Sequence, residues 1–264
     1  SEVGAVGDVA GKDVLELGCG AAQWAIVLAG RGARMVGLDN SARQLEHARE
    51  LAEIEGLASV HLDYIRYPDV ILPVALWPKY NLVQDKEYPE FDFCYCAVCR
   101  DRFTRASGID PRQLADPPSH RAWLQYRCDT ITEVVSLLAS QVHAQKKLVT
   151  AAVFPTPTIA RKLVRQEWTK WKVDALLPMI YHGFYKEEVP WVERATREGV
   201  EALAGRIPLF TGLYVPDLPP AELARAARFA IAGGANGICL FQGNTLTPEH
   251  WRALTPILTQ KGGA

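Results

Sequence analysis

Residues 61–68 read HLDYIRYP, an apolar, strand-like stretch that carries Asp63 and Arg66 and ends at a proline. A continuous apolar run of this length is typical of a strand buried on both faces of a parallel sheet. In barrels built from parallel strands, catalytic side chains lie at the carboxyl ends of the strands. The stretch therefore predicts a buried strand over 60–65 and makes Asp63 a candidate catalytic carboxylate.

Similar apolar runs recur along the 264-residue chain. They are DVLEL (13–17), RMVGLD (34–39), VHLDYI (60–65), KLVTAAVF (147–154), DALLPMIY (174–181), PLFTGLYV (208–215) and NGICLFQ (236–242). Helix-like periodicity separates them over 22–30, 41–55, 121–145, 158–171, 187–204 and 219–233. Alternation of this kind predicts an α/β fold of parallel βα repeats. A closed (β/α)₈ barrel has eight strands and the pattern shows seven, so an overlooked strand, an incomplete barrel and an open sheet all remain possible.

The long stretch 66–118 is rich in Pro, Tyr and Asp and follows a strand end. Irregular segments of such length are usually functional, so we expect a functional loop here. Within it VILPVALW (70–77) could supply an eighth strand, although Pro73 argues against a central one. Unpaired strand edges favour association, and we therefore expect that a homodimer can form.

Composition excludes several classes of protein. The net charge of -1 gives no basic surface for nucleic acid or for acidic membranes. No apolar run approaches the length of a membrane helix, and the first residues, SEVGAVGDVAGKD, lack the features of a signal peptide. Six cysteines, three of them clustered, suggest reduced thiols or a metal site rather than a disulfide scaffold. We expect a cytoplasmic protein.

The N-terminal segment combines VLELGCGAA (14–22) with VGLDNS (36–41), which is a strand, a Gly-rich turn, a helix and a second strand ending in an acid. Glycines allow close backbone approach to a ligand, and an acid about 20 residues later can accept from ribose hydroxyls. This pattern resembles the N-terminal part of class I S-adenosylmethionine-dependent methyltransferases, although alanine replaces the third glycine. The positions that the resemblance assigns to S-adenosylmethionine are Glu16, Gly18, Gly20 and Asp39.

The remainder, residues 59–258, carries HLDYIRYP, FDFCYCAVCRDRF, GIDP, LLPMIYHGFY and GLYVPD. These motifs resemble the glycoside-hydrolase-like, family 10-like TIM barrels. In that family the DYIRYP strand is the fourth of eight, whereas two strands precede it here. We interpret the chain as an engineered chimera joined between about Gly56 and Val60, with a methyltransferase-like segment at 1–57 and a barrel part at 58–264. The missing barrel strands suggest that efficient native activity is lost.

Glycoside hydrolysis uses two carboxylates, and Asp63 is the best candidate for one of them. Arg66 and Tyr181 are further catalytic candidates. The alternative for Asp63 is structural, with its carboxylate pairing Arg66 at the strand end. Candidates for the second carboxylate are Asp217, Asp85 and Glu187, which follow strands. His182 could serve as general acid or base, or could be a structural histidine. The aromatic residues suited to stacking on a sugar are Tyr181, Tyr185, Tyr214, Trp77 and Tyr80.

Cys94, Cys96 and Cys99 form a CxCxxC pattern. Three thiolates this close can bind zinc, with Cys128 or His120 as a fourth ligand. Loop packing and a reducible pair are the alternatives. Three functions thus remain open for the chain: a hybrid without activity, a carbohydrate-active enzyme that uses Asp63 on a glycan or another small ligand, and a protein that binds S-adenosylmethionine.

Overall fold

A computed structural model of the chain describes residues 10–11, 13–17, 28–29, 31–39 and 59–259, and for 13–17 and 35–39 it describes the backbone alone. The Gly-rich turn with Gly18 and Gly20 lies outside the described residues. So do the predicted helix over 41–55 and all but residues 28–29 of the predicted helix over 22–30; these two residues are helical.

All the predicted strands are present in the described part of the chain. They are β1 (Asp13–Leu17), β2 (Arg34–Asp39), β3 (Ser59–Leu62), β4 (Leu148–Val153), β5 (Ala175–Pro178), β6 (Phe210–Tyr214) and β7 (Gly237–Phe241). The strand predicted over 60–65 ends early, at Leu62, because Tyr64 takes a left-handed conformation with φ 51°. Alternation of faces therefore does not extend from Asp63 to the residues that follow it.

The strands follow one another in chain order. β1 to β5 form one sheet in the order β1-β2-β3-β4-β5, and β6 and β7 form a two-stranded sheet. The β1–β2, β2–β3, β3–β4 and β6–β7 pairs are parallel. A single parallel bridge from Met179, just beyond β5, to Gly212 of β6 connects the two sheets.

This order distinguishes between the two folds that the sequence resembles. In a doubly wound nucleotide-binding sheet the strand order reverses beside the first strand, and the ligand binds at that switch point. Here Ser59 of β3 pairs instead with Leu148 of β4, so the order continues without reversal. Sequential parallel strands are typical of barrel repeats. The protein is thus α/β with parallel strands, while the described strands do not close into an eight-stranded barrel.

Six helices of eight or more residues lie in the described part of the chain. They are α1 (Ala97–Ser107), α2 (Arg121–Ala144), α3 (Pro157–Val164), α4 (Trp191–Leu203), α5 (Pro220–Ala232) and α6 (Pro248–Leu258). Local sequence explains several boundaries. Thr156 caps α3 by accepting from the backbone N–H of Ile159, and Gly108 ends α1 in a left-handed conformation with φ 78°.

Three expectations about helices, strands and loops were wrong. The stretch 66–118 is not an irregular loop, since it contains α1 and a turn of α-helix at Trp77–Tyr80. VILPVALW is not an eighth strand, because Val74–Leu76 forms a 3₁₀ turn that leads directly into Trp77–Tyr80. The helix predicted over 158–171 ends at Val164, where Arg165 takes a left-handed conformation.

The chain divides into two compact units. The first comprises Ser1–Ile65, Val135–Ala152 and Lys172–Leu176, and the second comprises Arg66–Val134, Val153–Trp171 and Leu177–Ala264. A core of the second unit packs α4, α5 and α6 around β6, with Val192, Leu213, Leu223 and Leu254 fully buried. No described helix is both long enough and apolar enough to span a bilayer. The boundary at residue 57 stays a prediction.

A buried group of charges anchors residues 87–95 within the second unit. Asp92 accepts through Oδ1 from both Arg127 and Arg165, and through Oδ2 from the Tyr95 hydroxyl. Arg165 also pairs with Glu87 at 2.6 Å. Both arginines and Asp92 are fully buried, so each charge depends on its partners for the solvation that water would provide.

Candidate functional site

Three aromatic residues lie at the carboxyl ends of adjacent strands, and strand register places them there. Tyr214 of β6 pairs with Phe241 of β7, and both are the last residues of their strands. Met179 forms a parallel bridge with Gly212. Tyr181 follows Met179 by two residues, just as Tyr214 follows Gly212 by two residues. Residues two apart on an extended strand point to the same side. The register therefore brings Tyr181, Tyr214 and Phe241 to one edge.

The side chains meet in a group that we call the aromatic cluster, which consists of Tyr181, Phe184, Tyr214 and Phe241. The Tyr181 and Phe241 rings stack with centroids 5.6 Å apart and an interplanar angle of 18°, and the Tyr181 and Tyr214 centroids are 5.5 Å apart. Phe184 packs edge-on against Tyr214 at 5.3 Å. All four side chains are half-buried, so their rings retain exposed surface for a ligand.

A glycine sets the spacing of the strands beneath this cluster. A Cβ atom at Gly212 would lie 2.8 Å from the carbonyl oxygen of Pro178, which is closer than real Cβ contacts allow. The Gly212 carbonyl accepts from the backbone N–H of Ile180 at 3.0 Å. The missing side chain therefore allows the chain beyond β5 to pair with β6 and to bring Tyr181 beside Tyr214.

His182 and Asp217 are the ionisable residues beside the cluster. His182 opens the 3₁₀ turn His182–Tyr185, and Asp217 ends the turn Val215–Asp217 that follows β6. Burial lowers the pKa of His182, while the carboxylates of Asp217 and two glutamates oppose this shift. A neutral imidazole at neutral pH can accept a proton, and an adjacent carboxylate can steady the charged form. A Cβ atom at Gly183 would lie 2.7 Å from an Asp217 carboxylate oxygen. Any side chain at position 183 would therefore displace the Asp217 carboxylate.

The structure places Asp63 one residue beyond β3, half-buried, where its Oδ1 accepts from the backbone N–H of Tyr64 at 2.8 Å. Arg66 pairs with Asp69 at 2.8 Å and lies over the Phe154 ring, 5.1 Å from its centroid. Arg66 therefore holds the loop after β3 in place, and its catalytic role stays a prediction.

Two of the other candidate carboxylates already have partners. Asp85 is exposed and accepts from the Tyr88 hydroxyl at 2.7 Å, and Glu187 pairs with Arg194 at 3.3 Å. Asp217 is the one of the three that the structure places beside the aromatic cluster.

Three of the aromatic residues proposed from sequence make contacts outside the aromatic cluster. Tyr185 packs on Trp191 at 5.5 Å, and burial raises the pKa of its hydroxyl. The Trp77 indole N–H donates to the carbonyl of Leu72 at 2.9 Å, and Tyr80 is exposed under Lys79. These contacts hold the three side chains in place, and a role for them in a sugar site stays a prediction.

Phe184 and Phe241 are site residues that sequence reasoning missed. Phe241 sits in NGICLFQ, where it reads as one more apolar strand residue. Phe241 stands one residue before the end of its apolar run, as Tyr214 does in PLFTGLYV, and this shared position could have identified it as a site residue. The signal becomes decisive only when the register between the two strands is known.

The three clustered thiols do come together. The Sγ atoms of Cys94, Cys96 and Cys99 lie within 4.8 Å of one another. Cys96 caps α1, and its Sγ accepts from the backbone N–H of Cys99 at 3.5 Å, which lowers the pKa of Cys96 to about 7. Burial raises the pKa of Cys99 to about 12. These thiols could hold a metal ion.

Neither proposed fourth ligand belongs to this group of thiols. Cys128 is fully buried in α2, and burial raises the pKa of its thiol to about 11. The His120 Nδ1 instead accepts from the backbone N–H of Trp123 at 3.4 Å, and so caps the start of α2.

The residues that the resemblance assigned to S-adenosylmethionine are only partly described. Gly18 and Gly20 lie outside the described residues. Glu16 pairs in register with Gly37, two residues before Asp39, which places both acids near the carboxyl ends of β1 and β2.

Comparisons with known proteins agree with both resemblances. A sequence model of the family described as "Methyltransferase domain" matches residues 14–70. Two rice proteins described as "Protein arginine N-methyltransferase PRMT10", from Oryza sativa subsp. japonica and subsp. indica, are 35% identical over 123 residues, which is 43% of this chain and 29% of theirs. The chain thus spans less than a third of the length of these relatives.

The structure as a whole resembles a different class of protein. A chitinase from Chromobacterium violaceum ATCC 12472 aligns over 98% of this chain and 95% of its own, with a TM-score of 0.50 and 10% identity. At that identity the likeness concerns the fold alone. A methyltransferase-like N-terminal segment and a chitinase-like overall fold therefore occur in the same chain.

Proposed function

We propose that this chain is a hybrid of a methyltransferase-like start and a glycoside-hydrolase-like barrel, and that its retained function is to bind a glycan at the aromatic cluster. The observation that carries the proposal is the convergence of Tyr181, Tyr214 and Phe241 at the carboxyl ends of adjacent parallel strands, with Phe184 against them. This edge is where βα barrels carry their ligands.

The chemistry of the cluster suits a sugar ring. Aromatic rings offer apolar faces to the C–H surfaces of a pyranose, and a tyrosine adds a hydroxyl for hydrogen bonding. Half-buried rings lose little further entropy on binding, because neighbouring rings already hold them. The chitinase-like fold supports a chitin-type oligosaccharide as the first ligand to test.

We infer binding without efficient hydrolysis. Glycosidases place two carboxylates on either side of the scissile bond. Of the three candidates for the second carboxylate, Asp85 and Glu187 are engaged in other contacts, and Asp217 lies with His182 beside the cluster. If slow turnover occurs, His182 and Asp217 are the acid–base pair that we would assign, with Asp63 as the further candidate named from sequence.

Calorimetric titration with N-acetylglucosamine tetramer tests the proposal. Removing one stacking ring should cost about 0.5–1.5 kcal/mol, or roughly three- to tenfold in affinity, so Tyr214→Ala should bind more weakly. Trp251→Ala is the matched control, since it removes an exposed aromatic ring on α6 that belongs to no proposed site. Equal affinity of both variants, or no binding of this tetramer or of cellotetraose by the parent protein, would rule out the proposed site.

Binding of S-adenosylmethionine is the second candidate, and the match of residues 14–70 to a methyltransferase domain favours it. The sequential strand order argues against it, because the described strands show no reversal beside β1 that would form the usual nucleotide crevice. Calorimetry with S-adenosylhomocysteine separates the two candidates. Binding of S-adenosylhomocysteine that is lost in Asp39→Ala would establish a nucleotide site. No heat at a high concentration of this ligand would mean that the Gly-rich turn has a structural role only.

A further inference from the structure

We propose that Cys94, Cys96 and Cys99 form a tris-thiolate site for a soft divalent cation, with zinc as the natural occupant. The three Sγ atoms lie within 4.8 Å of one another. Zinc–sulfur bonds of about 2.3 Å in a tetrahedron separate neighbouring sulfurs by roughly 3.8 Å. The thiols therefore need to close by no more than about 1 Å to reach bonding positions.

Backbone N–H groups already orient two of the sulfurs. The N–H of Cys96 donates to Cys94 Sγ at 3.3 Å, and the N–H of Cys99 donates to Cys96 Sγ at 3.5 Å. Donors of this kind are the outer contacts that fix metal ligands and moderate the charge on them. The CxCxxC spacing thus supplies the ligands together with part of their supporting shell.

Buried contacts on the N-terminal side of the thiols hold the backbone in place. The Tyr95 hydroxyl donates to Asp92 at 2.6 Å, and its ring lies 5.4 Å from that of Trp123. The Phe93 carbonyl accepts from Arg127 at 3.2 Å. Residues immediately before and between the ligands are therefore fixed before any metal arrives, which lowers the entropic cost of binding.

The C-terminal side is equally anchored. Cys99 lies in the first turn of α1, and Phe103, one turn further, is buried with its ring 5.0 Å from Trp123 and 5.5 Å from Tyr126. Arg100 pairs with Asp110 beyond the helix end. The thiols thus sit between two packed segments, which distinguishes them from cysteines on a free loop.

The donor set determines the class of ion. Thiolates favour zinc and other thiophilic metals over magnesium or calcium, which take oxygen ligands. Within residues 59–259 no fourth protein ligand joins the group. Three protein ligands leave one tetrahedral position for water or a small exogenous ligand. The site involves none of the aromatic cluster residues, so its test is independent of glycan binding.

Cobalt titration of the full, reduced chain is the experiment. Tetrahedral cobalt thiolate absorbs in the visible and gives a sulfur-to-metal charge-transfer band. We expect both signals to saturate at one equivalent and to disappear when zinc is added. Cys96→Ser and, separately, Cys94→Ser should lose the charge-transfer band, whereas Cys239→Ala, which removes a thiol in β7, should retain it.

Circular dichroism melts of each variant identify any that fail to fold, and either serine variant that folds is sufficient for the comparison. A reduced parent protein without the charge-transfer band overturns the proposal, as does a band that persists in a folded Cys96→Ser protein. The cysteines could instead form a disulfide on purification, and the protein could then bind no cobalt after reduction. That result would also overturn the proposal and would indicate a redox pair in place of a metal site.

Discussion

His61 should make the folded protein sensitive to mild acid. Its side chain is 1% exposed, its Nδ1 lies 2.6 Å from Thr150 Oγ1, and its Nε2 has no partner among the described residues. Burial lowers the pKa of His61 to about 3, against 6.5 for an unperturbed histidine. The folded state thus keeps this ring neutral while the unfolded state takes up a proton.

The sign and size of the effect follow from proton linkage. Below pH 6.5 the unfolded chain binds one more proton than the folded chain, so the free energy of unfolding falls as pH falls towards 3. Between pH 7 and pH 5 the loss from this one group is about 2 kcal/mol. The stability that His61 contributes is present above its unfolded pKa and is progressively lost below it.

Urea unfolding of the parent and of His61→Leu at pH 7 and pH 5 measures this loss. The variant should lose about 2 kcal/mol less than the parent between the two pH values. Thr150→Val is the control, because it removes the hydrogen-bond partner and keeps the buried imidazole, so its pH dependence should match that of the parent. Identical pH dependence of His61→Leu and the parent would refute the assignment of a buried, neutral ring.

Three further predictions concern packing and assembly. Gly212→Ala should destabilise the protein by about 1–3 kcal/mol and weaken glycan affinity, since its Cβ would meet the Pro178 carbonyl. Gly243→Ala should change neither, because its Cβ would meet only the Leu246 side chain, at an ordinary contact distance of 4.0 Å; thermal melts and calorimetry test both variants. Asp92→Asn should lower the free energy of unfolding in urea by about 3–5 kcal/mol, because it removes the negative charge that two buried arginines share. Arg105→Gln, which breaks an exposed ion pair, should lower it by less than about 1 kcal/mol. Similar losses in the two variants would contradict the buried network. The homodimer expected from unpaired strand edges should give about twice the 29.2 kDa chain mass in light scattering, and a mass equal to one chain would exclude it.

Local pattern was sufficient to predict the strands. β1 and β2 begin and end at the predicted residues, because short apolar runs bounded by polar or glycine residues leave few alternatives. The order of the strands was not available from local pattern, since pairing joins residues far apart in the chain. Ser59 pairs with Leu148 although the whole segment 66–118 and helix α2 lie between them in the chain, and no local signal encodes that choice.

The site was partly predictable for the same reason. Tyr181 and Tyr214 were identified because they follow strand ends, but Phe241 required knowledge of the β6–β7 register. The contacts of Arg66 with Asp69 and Phe154 depend on the local turn after β3, so the sequence could not predict them. α1 was missed because its apolar residues are few and its charged residues many, so helical periodicity is weak there.

The most direct test of the central claim is a crystal structure of the protein with N-acetylglucosamine tetramer. The account predicts a sugar ring stacked on Tyr214, Phe241 or Tyr181, with His182 and Asp217 beside it, at the carboxyl ends of β5, β6 and β7. A tetramer bound elsewhere on a folded protein, with the aromatic cluster unoccupied, would contradict the account.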